Sequence, residues 1–226
     1  MAVEARAEEI GTPAPAADNH APPPNFSDTD ERRSGRRLGL PGRIREVGSP
    51  QTLSEADRRI VAAWAADCAQ RVLWLFEAEA PGDSRPRDAI ARTRAFGRGE
   101  LDVAEEIRRR FVGGAAAREV VTPSAAAAAK AAGQATAIPH MGAHALGAAA
   151  YAAKAAGLAA PDAREAVIDE IQWQLSRMSA ATRTALGRLP PVGESRSGPL
   201  GPGLLASGLL GTIIRDLQAG LAGADR

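Results

Sequence analysis

The chain has 226 residues, a formal net charge of +1 and a hydrophobic fraction of 45%. That length allows one buried core, and a charge so near zero argues against a nucleic-acid or anionic-membrane partner held by bulk attraction. Cys68 is the single cysteine, which excludes an intramolecular disulfide framework and suits a reducing, cytoplasmic setting.

Residues 1–52 are rich in Pro, Gly and charged side chains and are expected to be a disordered tail, because they offer too little apolar surface to offset their ordering entropy. The opening MAVEARAEEIGTPAP lacks the apolar run of a secretory signal, and no stretch of the chain is apolar for long enough to cross a bilayer. Arg32, Arg33, Arg36, Arg37, Arg43 and Arg45 form a basic run inside the tail, balanced by Glu4, Glu8, Glu9, Asp28, Asp30 and Glu31. An arm for an acidic partner and a solvated tail both fit, and the balance of charge favours the tail.

The first helix is expected from Ser54, a good N-cap with Asp57 three residues on. Ile60, Val61, Trp64, Cys68, Val72, Leu75 and Phe76 recur at helical spacing and form its buried stripe, and Pro81-Gly82 ends it. Pro86 then opens a short helix carrying Ala89, Ile90 and Phe96. Another spans roughly 101–111, with Val103, Ile107 and Phe111 inward and Arg108, Arg109 and Arg110 largely outward. Gly113-Gly114 is expected to break it, and a turn or two follows to Val121.

Thr122-Pro123 starts the distinctive part of the chain, SAAAAAKAAGQATAIPHMGAHALGAAAYAAKAAGLA from Ser124 to Ala159. Alanine is the best helix former and leaves a narrow face that neighbouring helices approach closely. The stretch reads as a central helical pair, its first member ended by Ile138-Pro139 and its second running from about 142 to 156. Pro161-Asp162 opens the last core helix, with Val167, Ile168, Ile171, Leu175 and Met178 inward and Trp173 off that stripe at an edge.

The domain from 53 to 190 is followed by a Gly/Pro-rich segment, 191–203, that reads as a flexible linker. A separate amphipathic helix is expected in 204–226, where Leu210, Ile213, Ile214, Leu217 and Leu221 share a face. It could dock on the core, recruit a partner or lie on a membrane; its charges nearly cancel, which disfavours the membrane. The fold class is therefore all-α, a compact multi-helix bundle.

Candidate chemistry is sparse. His140 and His144 are four apart and could share a face of one helix and grip a metal, but no HExxH glutamate or cysteine cluster accompanies them and Pro139 disturbs the helix. The plainer reading is a polar cluster in which Asp67 pairs with Arg85 or a histidine, and Tyr151 joins His140 and His144. Cys68 sits on the apolar stripe, the place of an inert thiol and not of a nucleophile. No phosphate loop, nucleophile elbow or paired metal carboxylates occur, so no metal or cofactor is expected.

Four stretches carry a family resemblance: DRRIVAAWAADCAQRVLWLFE (57–77), RPRDAI (85–90), AAAAAKAAGQATAIPHMGAHALGAAAYAAKA (125–155) and EIQWQL (170–175). Together they resemble the helical Imm-5-like immunity proteins of bacterial polymorphic toxin systems. The resemblance implies a cytoplasmic, non-enzymatic protein whose partner is a cognate toxin, blocked by protein–protein contact. Two other readings compete with it. One is an enzyme or ligand-binding domain with a pocket of Asp67, Arg85, His140 and His144; the other is a scaffold that recruits through its C-terminal helix.

Overall fold

The structure, a computed structural model, describes residues 49–110 and 112–223. The basic run at 32–45 and the inward placing of Phe111 lie outside those residues. Nine α-helices occur among the described residues, with no strand: α1 (Glu55–Glu77), α2 (Arg85–Gly97), α3 (Val103–Arg109), α4 (Val112–Ala115), α5 (Pro123–Thr136), α6 (His144–Ala159), α7 (Ala163–Ser176), α8 (Ala180–Leu186) and α9 (Gly208–Gly223).

Local chemistry sets most helix starts. Ser54, Asp102, Thr122, Asp162 and Ser179 each accept the backbone N–H three residues on, satisfying a donor that the helix itself cannot. At Ser54 the exchange is reciprocal, because its hydroxyl also donates to Asp57 Oδ2 at 2.7 Å.

α5 and α6 pack antiparallel, as the expected alanine-rich pair. Ala128, Ala131, Ala132 and Ala135 of the first, and Ala145, Ala148, Ala149 and Ala152 of the second, are buried. α1 lies across both and also meets α2 and α8. A broad face of it is buried, with Ala62, Ala65, Ala66 and Ala69 as deep as the expected Val61, Trp64, Cys68, Val72 and Phe76, while Ala56, Ile60, Ala63, Gln70 and Trp74 line its solvent side. α2 runs antiparallel to α1, laced by Asp67–Arg94 and Glu77–Arg87 ion pairs. Buried Gln174 ties α7 to two neighbours: its backbone carbonyl accepts from Trp64 Nε1 at 2.9 Å and its amide donates to Ala149 O at 3.1 Å.

Several expectations change. Ile60 and Ile168 are exposed. The inward line of α7 runs through Glu170, Ile171 and Gln174, which turns Ile168 to the outside; Met178 is buried just beyond the helix end. Gly113 and Gly114 lie within α4 and do not simply end a helix; a β-carbon at Gly114 would stand 3.7 Å from Gly133 Cα, an ordinary packing distance against α5. α9 is not separate: Leu210, Ile213, Ile214, Leu217 and Leu221 are buried against α6 and α7, the docking alternative.

The segment 191–203 differs most from its composition. It is held by Gln51, a residue expected in the tail but only 1% exposed. Gln51 Nε2 donates to Ser197 O at 2.6 Å, and Leu200 N donates to Gln51 Oε1 at 2.8 Å. Gly198, at φ +82°, gives this side chain room, since a β-carbon there would sit 2.8 Å from Nε2. The backbone of the same residue accepts from Ala143 N, so one short 3-10 turn at Pro50–Thr52 joins the α5–α6 corner to the 197–200 loop.

Candidate functional site

The predicted polar cluster does not assemble. Asp67 is half-exposed and takes Arg94, whose Nη2 donates to Oδ1 at 2.9 Å, with Gln70 on the other Nη. Arg85 pairs with Asp83 and Glu119 at 2.5 Å each, which raises its pKa and leaves nothing for Asp67. Tyr151 is buried in α6, its ring 5.8 Å from the Lys130 ammonium.

The histidines part company for a backbone reason. α5 stops at Thr136 and α6 begins at His144, so His140 falls in the Pro139 loop and the four-residue spacing is not helical. His140 is exposed. His144 is partly buried, and its Nδ1–H donates to Gln134 Oε1 at 2.8 Å. Burial, then the nearby charges of His140 and Arg110, lower its pKa to about 4, so the ring is neutral at pH 7. Among the described residues no group of three or more His, Cys, Asp or Glu is arranged to hold a metal. Cys68 is fully buried, and burial first, then the charges of Glu170 and Asp67, push its thiol well up, away from nucleophilic use.

Between α2, α3 and the end of α5 lies a pocket of about 210 Å³ lined by Arg85, Arg92, Arg109, Asp88 and Glu106. Its guanidinium groups are matched by carboxylates: buried Glu106 is bonded by Arg92, and Glu105 lies 3.3 Å from Arg109. This is a charge lattice that fastens α3 to α2.

The C-terminal turn of α6 is different. Two grooves draw on it. One, of about 500 Å³, runs between α6, α7 and α9 and is lined by Leu158, Val167, Ile168, Ile171 and Leu209, with Lys154, Arg164 and Asp216 also along it. Leu158, Ile168 and Leu209 are all exposed. The other, of about 260 Å³, lies between α1, α6 and α7 and is lined by Arg71, Trp74, Leu75, Ala156, Ala159, Ala160 and Glu170.

In that second groove Trp74 is 60% exposed, on the solvent-facing stripe of α1 that also carries Ile60, Ala63 and Gln70. Glu170 is only 4% exposed, and both its oxygens are engaged: Oε2 accepts from Arg71 Nε at 2.6 Å and Oε1 from Gln174 Nε2 at 3.1 Å. Burial raises its pKa, against the pull of those two partners. The Arg71 guanidinium also lies over the Trp173 ring, Cζ 4.4 Å from the centroid. Sequence reasoning placed Trp173 at an edge but missed Arg71, Trp74 and Glu170. The available signal was a tryptophan one turn from an arginine, off the apolar stripe of the first helix.

Among the described residues no helix is long and apolar enough to cross a membrane. The family model described as Imm-5 like putative immunity protein matches residues 51–181. No curated protein and no solved structure matches the chain.

Proposed function

The chain belongs to the Imm-5 like putative immunity protein family, and we propose that it binds a cognate bacterial toxin in the cytoplasm and neutralises it by contact, without chemistry of its own. One observation carries the reading beyond the family: the exposed apolar side chains Trp74, Leu158, Ile168 and Leu209 line two grooves that each draw on the last turn of α6. Exposed apolar surface concentrated in one place marks an interaction site, whereas scattered single residues do not. Interfaces of standard size bury about 800 Å² per partner and draw most of their energy from a few aromatic and arginine anchors.

Co-expression tests it. Cells carrying the toxin encoded beside this gene survive when the chain is present, and the two proteins copurify as a stoichiometric complex. Death of those cells at full expression of both, with no complex recovered, ends the proposal.

A further inference from the structure

The arginines on the surface of this fold differ in what they have left to give. Arg85 is occupied by Asp83 and Glu119, Arg98 by Glu100, and Arg94 by Asp67 and Gln70. Arg71 uses only its Nε, on Glu170; neither Nη group has an acceptor among the described residues, and the side chain is 45% exposed. It is nevertheless held in place, by a buried carboxylate at one edge and an indole ring beneath its plane. A guanidinium fixed in this way has already lost its rotamer freedom on folding, so binding through its end edge costs less entropy than binding through a free arginine.

Glu170 offers a partner no free acceptor, since it is buried with both oxygens engaged. The solvent-facing charged group of this groove is therefore the Arg71 guanidinium, and it stands beside the exposed Trp74 ring. A buried carboxylate is an expensive way to stabilise a helix pair, because desolvation offsets much of the ion-pair attraction. Here it serves two neighbours, accepting from Gln174 within α7 and holding Arg71 in one orientation.

We propose that Arg71 and Trp74 anchor the toxin, and that they receive an acidic side chain of it: a carboxylate forked by the two Nη groups, with its apolar stem against the indole. This rests on the immunity reading and names the contact within it. Planar, bidentate pairing is what a guanidinium does best with a carboxylate, and arginine and tryptophan are the residue types in which interface energy concentrates.

The test uses the full chain and the toxin domain encoded beside it, inactivated at its own catalytic centre, with Kd measured by titration calorimetry. Trp74→Ala weakens binding about 30-fold or more, the threshold of an interface anchor. Arg71→Lys keeps the charge but loses the fork, and weakens binding about tenfold or more. Arg98→Ala, at the far end of α2, stays within about threefold of the wild type. Should Arg71→Lys melt at lower temperature than the wild type, Trp74→Ala decides, because an exposed ring can be removed without opening the core. Unchanged affinity in Trp74→Ala and Arg71→Lys overturns the anchor and leaves the immunity reading standing. Absence of binding by the wild-type chain overturns both.

Discussion

Replacing Gln51 with alanine tests how far the C-terminal third belongs to the fold. The side chain is 1% exposed and makes two hydrogen bonds to residues on the far side of the sequence, Ser197 O at 2.6 Å and Leu200 N at 2.8 Å. Two such bonds are worth about 1 kcal/mol each, and leaving a buried N–H without an acceptor adds roughly 1 kcal/mol more. Leu200 is fully buried, so water does not readily replace the lost acceptor. The expected loss is about 3 kcal/mol, equivalent to roughly 6–12 °C in Tm for a chain of this size. Gln51→Glu keeps the shape but removes the donor and sets a carboxylate against the Ser197 carbonyl, and should cost at least as much. Urea unfolding followed by tryptophan fluorescence measures both. A loss below about 0.5 kcal/mol in Gln51→Ala would refute the claim that this residue holds the 191–203 segment down.

Three further outcomes follow from the same geometry. His144 has a folded pKa lowered from 6.5 to about 4, so the stability it contributes is complete above pH 6.5 and is lost as pH falls toward 4. The loss amounts to up to about 3 kcal/mol, and His144→Gln should flatten the urea midpoint between pH 7 and pH 4.5; an unchanged slope counts against the buried neutral ring. Leu158→Glu with Ile168→Glu should abolish protection against the toxin while shifting Tm by no more than about 2 °C, since surface substitutions away from the core are usually within about 0.5 kcal/mol; retained protection at wild-type level would exclude the α6–α7–α9 groove from the contact. Cys68 should stay silent to a thiol reagent in the native state and react once urea unfolds the chain, and rapid native labelling would show that α1 is not packed as described.

Much of the helix plan was legible because its signals are local. Ser54, Thr122-Pro123 and Asp162 each cap a helix within a few residues, and Pro139 ends α5 by chemistry confined to its own turn. The 191–203 segment was not legible, because the group that holds it, Gln51, is 146 residues from Ser197 in the chain and composition carries no information about so distant a partner. The polar cluster failed for a related reason. A chain with this many arginines leaves the choice of partner to helix packing, and the antiparallel α1–α2 pair puts Arg94, not Arg85, beside Asp67. Ile168 read as core because isoleucine is apolar, yet the phase of α7 is set by Glu170 and Gln174, polar residues buried through hydrogen bonds that spacing alone does not reveal. The Arg71–Trp173 stack and the exposed Trp74 depend likewise on how α1 meets α7.

Hydrogen–deuterium exchange of the chain alone and with the inactivated toxin bears most directly on where the partner sits. New protection is expected in peptides covering 71–75, 156–160 and 167–171, with little change across 98–110. Protection confined to α3 and the 116–121 turn, with the end of α6 exchanging as freely as before, would contradict the account.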